Sequence, residues 1–130
     1  MKRVTGIGGV FFKSKSPAEL KQWYANHLDI QGEEWGKLFR WHPEGECDKL
    51  GTTTWSPFPA NTDYFAPSEK PFMINYRVHD LVKLLDTLKK EGVKIVGEIQ
   101  EFEYGKFAWI IDPEGNKIEL WEPVDAPFVE

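Results

Sequence analysis

The chain is poor in cysteine, histidine, net positive charge and long apolar runs. Of its 130 residues one is cysteine, Cys47, so no internal disulfide can form. A lone thiol fits a reducing compartment. Its setting, Glu44-Gly45-Glu46-Cys47-Asp48, makes it a weak nucleophile because neighbouring carboxylates disfavour the thiolate. The three histidines, His27, His42 and His79, are scattered, and each reads as a surface or capping residue rather than a ligand. Sixteen basic against twenty-one acidic residues leave a net charge of −5, which speaks against nucleic acid and anionic membrane surfaces as partners. No apolar run approaches the roughly 20 residues of a membrane span. The opening Met1-Lys2-Arg3-Val4-Thr5-Gly6 carries no apolar signal region, so the expectation is a soluble cytoplasmic protein. What is present is aromatic: 15% of residues, six of them Trp, within 41% apolar and 28% charged residues, the composition of one folded domain.

Two helices stand out. Ser16-Pro17-Ala18-Glu19 opens the first as a capping box, followed by an apolar stripe of Leu20, Trp23, Tyr24 and Leu28. Asp80 caps the second, with Leu81, Leu84, Leu85 and Leu88 as its stripe, Lys89 and Lys90 in the last turn and Gly92 beyond. Strand-like runs precede them at Ile7–Ser14 and Phe72–Val78. Others follow at Gly36–Trp41, Thr52–Trp55, Val93–Glu98, Phe107–Ile111 and Lys117–Trp121. Asp112-Pro113-Glu114-Gly115-Asn116 is a turn between the last two.

The halves match in order. Gly9–Lys13 lies over Met73–Arg77, Leu20 over Leu84, His42-Pro43-Glu44-Gly45 over Asp112-Pro113-Glu114-Gly115, and Thr53–Pro57 over Glu119–Pro123. This is a tandem repeat of strand, helix, then two or three strands. Module one covers about residues 6–58, a connection 59–71, module two 72–123 and a tail 124–130. Two such modules predict an α+β fold, a curved mixed sheet with helices on one face and a cup on the other. Gly6-Ile7-Gly8-Gly9 is not a nucleotide loop, since it sits within a strand and Phe11 stands where a third glycine is needed.

The helix with Trp23-Tyr24 and His27-Leu28, together with Ile110-Ile111-Asp112-Pro113-Glu114-Gly115-Asn116-Lys117-Ile118-Glu119-Leu120-Trp121, resembles the vicinal oxygen chelate superfamily, the glyoxalase, bleomycin-resistance and extradiol-dioxygenase group. The resemblance spans about Gly6 to Pro123. It implies paired βαβββ modules, a homodimer and a ligand site in the cup. It also implies a divalent metal held from four equivalent strand positions, which fall on Gly9, Thr53, Met73 and Glu119. Only Glu119 carries a good donor, so no metal or other cofactor is expected.

Glu119 lies between Ile118 and Leu120, which should face the helices, so its carboxylate should face the cup. It reads either as a general base with a raised pKa or as an ion pair with Arg77 or Lys13. Alternation turns Phe11, Phe39, Trp41, Trp55, Phe107, Trp109 and Trp121 away from the helices. With Asn75 and Arg77 these rings predict a pocket for a small aromatic or apolar organic ligand. Three functions stay open. One is a binding protein or metal-independent lyase or isomerase, with Glu119 as base and Arg77 and Asn75 holding an oxyanion. The others are a sequestering dimer without catalysis and a metal-dependent lyase.

Overall fold

The computed structural model describes residues 3–45 and 48–124, so Cys47 and the tail after Val124 lie outside the described residues. The elements run β1 (Val4–Ser14), α1 (Pro17–Leu28), β2 (Lys37–Trp41), β3 (Gly51–Pro59), β4 (Phe72–Val78), α2 (Leu81–Lys90), β5 (Lys94–Phe102), β6 (Gly105–Ile111) and β7 (Lys117–Pro123). All strands join one mixed sheet in the order β2-β3-β1-β4-β7-β6-β5. The antiparallel pair β1·β4 is the seam between modules, and each flanks it with a parallel partner, β3 or β7.

The modules are not identical. Module two is βαβββ, whereas module one is βαββ among its described residues. Where a further strand would follow α1, an isolated bridge joins Glu33 and Gly36. The reason is local: Gln31-Gly32-Glu33-Glu34-Trp35-Gly36 has no apolar run to extend.

Register sets the faces. Val10 pairs with Trp55 and with Ile74, which places these three side chains on one surface with Tyr24 of α1. The same surface continues as Tyr76, Ile118, Leu120, Ala108 and Ile110, packed on Leu81 and Leu85 of α2. Both helices therefore cover one face. The other is concave and has its own buried cluster of Phe11, Phe65, Met73 and Trp109.

The second helix follows the sequence closely. Asp80 accepts from Lys83 N at 3.2 Å, and Glu122 on β7 accepts from Leu81 N at 2.8 Å. The first departs from expectation. Ser16 makes no side-chain cap; Ser14 Oγ instead accepts from Ser16 N at 3.1 Å. Its stripe is narrower than predicted, because Trp23 stays 49% exposed and stacks on His27. The Asp112–Asn116 turn forms as expected. Asp112 Oδ1 accepts from Glu114 N and Asn116 N, each at 2.9 Å, and Gly115 takes a φ of +86°. No described helix is long and apolar enough to cross a membrane.

Candidate functional site

One row of backbone partners crosses the middle of the sheet. Thr54 pairs with Gly9, Gly9 with Asn75, Asn75 with Glu119 and Glu119 with Trp109. The row opens on a cavity of about 360 Å³ in the concave face. Gly8, Thr54, Asn75 and Glu119 form its floor, and Phe11, Trp35, Leu38, Tyr104, Phe107 and Trp121 its walls.

Glu119 is 2% exposed, and three neutral donors hold its carboxylate. Asn75 Nδ2 donates to Oε1 at 2.6 Å, Trp109 Nε1 to Oε2 at 2.9 Å, and the Tyr64 hydroxyl also to Oε2. Tyr64 comes from the connection between modules. Its neighbour Phe65 is fully buried beside Phe58, and Tyr64 itself stacks on Phe58 at 5.7 Å. Burial of the hydroxyl, and then the Glu119 charge beside it, push the Tyr64 phenol well above its ordinary pKa.

The cation placed near this carboxylate is Lys117. Its ammonium donates to Tyr64 O at 2.7 Å and lies over the rings of Tyr64 and Trp109 at 5.4 and 5.6 Å. Burial lowers its pKa, and the Glu119 charge partly opposes that shift. Arg77 turns instead to Thr52 Oγ1, 3.2 Å from Nη1, with its guanidinium 5.4 Å from the Trp41 ring and 5.2 Å from the Trp121 ring. Lys13 lies over Phe65 at 5.8 Å.

A tight β-bulge makes the floor. The β1·β4 register shifts between Ile7 and Gly9, which brings both Gly8 and Gly9 under the side chains of β4. A Cβ on Gly8 would collide with Asn75 Oδ1 and stand 2.9 Å from Trp121. On Gly9 it would meet the Phe11 ring at 2.6 Å. Asn75 Oδ1 is itself buried without a hydrogen-bond partner. Its orientation is fixed, since the amide must present a donor to the carboxylate.

Of the residues expected at the pocket, Phe11, Asn75, Phe107, Glu119 and Trp121 line it. Trp109 lies beneath it, bonded to Glu119. Four do not line it, Arg77 with its contact to Thr52 being one. Trp55 sits on the helix side, 4.9 Å from Tyr24 and 5.6 Å from Phe12, because its ladder partner is Val10 rather than Phe11. Phe39 is 42% exposed, since β2 turns Leu38 inward. Trp41 reaches over Gly6 and Gly51 and borders a second depression with Arg77, His42 and Glu122. One residue of register moves a whole strand's side chains to the opposite face, which is why Thr54, and not Thr53, lies on the floor. Met73 shares Asn75's face two residues along, buried in the cluster with Phe65.

Trp35, Leu38, Thr54, Tyr104, Gly8, Tyr64 and Lys117 escaped the sequence. The adjacent rings of Tyr64-Phe65, inside a Pro-rich connection, were a signal that this segment packs inward.

The model of the glyoxalase/bleomycin resistance protein/dioxygenase superfamily matches residues 10–120. Comparison with curated protein sequences gives no match. Among solved structures, methylmalonyl-CoA epimerase from Mycobacterium tuberculosis is 20% identical, with a TM-score of 0.61 over 95% of this chain and 91% of that one. A Streptomyces coelicolor methylmalonyl-CoA epimerase variant solved with 2-nitronate-propionyl-CoA is 13% identical, with a TM-score of 0.66 over 93% and 99%. A superfamily member from Vibrio splendidus is 9% identical, with a TM-score of 0.56 over 89% and 97%.

Proposed function

The chain belongs to the glyoxalase/bleomycin resistance protein/dioxygenase superfamily, and on that footing we propose that its cup binds a small, mainly apolar organic molecule without a chelated metal. The observation that carries this is the Glu119 carboxylate. It lies at the floor of an aromatic-walled cavity with Trp109, Asn75 and Tyr64 all aiming donor hydrogens at it. Donor hydrogens directed at both oxygens repel a cation, and a divalent metal wants several strong donors. The rest of the row offers Thr54, a glycine and a carboxamide, and the described residues hold no group of three or more His, Cys, Asp or Glu suited to a metal. The donor set does not fit a divalent cation, so the chemistry falls to the side chains themselves.

In this arrangement the rings exclude water from the ligand's apolar body while Thr54 and Glu119 meet its polar atom. Titration with 2-naphthol, followed by the indole N–H resonances of the tryptophans, tests the assignment. Trp35 and Trp121 shift while Trp23 and Trp55 stay in place. Unmoved cavity resonances at saturating ligand overturn it.

A second function, proton abstraction next to a carbonyl, draws support from Glu119 Oε1, which accepts from Asn75 and keeps acceptor capacity towards the cavity. Asn75 donates one amide hydrogen to Glu119 and lines the cavity, whereas Arg77 donates to Thr52 and is not among the cavity-lining residues. Solvent deuterium entering a bound carbonyl ligand, lost in Glu119→Gln with binding intact, distinguishes catalysis from binding alone.

A further inference from the structure

Asn75 Oδ1 is an unpartnered polar atom in the floor of the cavity. Asn75 is 2% exposed, and this oxygen is buried with no hydrogen-bond partner. Buried side-chain oxygens almost always accept a hydrogen bond, because leaving water without a replacement partner costs free energy. Turning the amide over is no remedy. Nδ2 donates to Glu119 Oε1 at 2.6 Å, and the flip would set two oxygens against each other.

The donors around the site are committed elsewhere. Trp121 Nε1 donates to Tyr104 O at 2.9 Å, Trp109 Nε1 to Glu119 Oε2 at 2.9 Å, and Arg77 Nη1 to Thr52 Oγ1 at 3.2 Å. Gly8 brings no side chain to the oxygen, and a Cβ there would collide with it. Gly8, Asn75 and Glu119 all line the one cavity.

A second acceptor stands beside the first. Glu119 Oε1 accepts from Asn75 and keeps acceptor capacity towards the cavity. Their shared contact ties carboxamide and carboxylate into one unit, walled by Phe11, Phe107 and Trp121. Positive charge is already supplied close by, since the Lys117 ammonium lies over the Tyr64 and Trp109 rings. What the unit lacks is donor hydrogens.

We infer that the Asn75–Glu119 unit recognises a neutral N–H donor group of the primary carboxamide or urea type, one hydrogen meeting Asn75 Oδ1 and the other Glu119 Oε1. This rests on the cup being a ligand site, and it names the chemical class that the floor selects. Thr54, on the same floor, offers its hydroxyl to the ligand's carbonyl oxygen. In an apolar cup without these acceptors an amide binds more weakly than an ester of the same outline, because its N–H groups leave water unpaired. With them the order reverses.

The test compares 2-naphthamide, N-methyl-2-naphthamide and methyl 2-naphthoate, which share a frame and carry two, one and no N–H. Binding to the full chain is measured calorimetrically. Each lost N–H weakens binding by about tenfold, and the last two probes, alike in outline, isolate a single hydrogen bond. In Asn75→Leu, which keeps the side chain's shape without its polar atoms, the spread between 2-naphthamide and the ester shrinks by about tenfold. The wild-type series decides the ligand class even where Asn75→Leu does not fold. An ester that binds wild type as tightly as the primary amide overturns the inference and leaves the cup as a ligand site. A spread that persists in folded Asn75→Leu overturns the role of Asn75 Oδ1. Failure of all three probes to bind removes the ligand site and the recognition with it.

Discussion

Asn75 Nδ2 lies 2.6 Å from Glu119 Oε1, across a pair of parallel strands in which the two residues are backbone neighbours. The contact closes the amide orientation, strands Asn75 Oδ1 over Gly8 and fixes the carboxylate at the centre of the concave face. The stability of the site and its selectivity both run through this pair.

Glu119→Ala strands the buried donors of Asn75 and Trp109. Each unsatisfied buried donor costs about 1–3 kcal/mol, so urea unfolding falls by about 2–4 kcal/mol. Glu119→Gln keeps one acceptor oxygen and loses less. A loss below about 0.5 kcal/mol in the alanine variant contradicts the network.

Tyr64→Phe removes one donor from the carboxylate and lowers stability by about 1 kcal/mol near neutral pH. The phenol also carries a pH signature. Its folded-state pKa is raised above the ordinary value near 10, so the unfolded chain loses the proton first. Stability is full below about pH 10 and falls as pH rises beyond it. Lys117 acts with the opposite sign, since its lowered pKa favours the neutral amine in the fold. Comparing wild type with Tyr64→Phe isolates the tyrosine: the wild type loses more stability between about pH 8 and pH 11.

Gly8→Ala drives a methyl group into Asn75 Oδ1, with Trp121 and Arg77 Cγ at 2.9 and 3.0 Å. Overpacking of this kind costs about 1–3 kcal/mol. The same change displaces Asn75 from Glu119 and weakens 2-naphthol binding, as calorimetry reads directly. Tight binding in a well-folded Gly8→Ala protein places the ligand away from this floor.

Trp55→Ala separates the two faces. Trp55 packs on Tyr24 and Phe12 on the helix side, so the substitution lowers stability by about 2 kcal/mol while leaving ligand affinity within about twofold. Trp121→Ala changes both quantities. A large affinity loss in Trp55→Ala contradicts the register given for β3.

Added zinc, nickel or manganese raises the melting temperature by less than about 1 °C, whereas a ligand at 100 times its Kd contributes about 2.7 kcal/mol and several degrees. A larger rise, abolished by Glu119→Gln, overturns the metal-free assignment.

The elements were legible because apolar spacing dictates them: both helices and every strand core fall where the pattern places them. Glu119 was legible for the same reason, lying between two residues that pack on α2. The row beside it was not. The Gly8-Gly9 bulge shifts the β1·β4 ladder, and the unbroken β1·β3 ladder sets Gly9 opposite Thr54 and so turns Thr54 rather than Trp55 inward. A bulge adds one residue to a strand without changing its composition, so alternation alone cannot find it. Trp35 and Tyr104 lay in turns, where no periodicity assigns a face. Tyr64 reaches Glu119 across 55 residues of chain, a contact that only the folded sheet creates.

Tyr64 belongs to a segment that occurs once in a molecule otherwise built by duplication. Two identical modules would give a symmetrical sheet with two equivalent halves. The covalent strap between them breaks that equivalence by delivering its ring to the second module's carboxylate. The two ends of the cup are therefore chemically different, and a circular permutant opened within the strap would keep the duplicated architecture while losing its polarity.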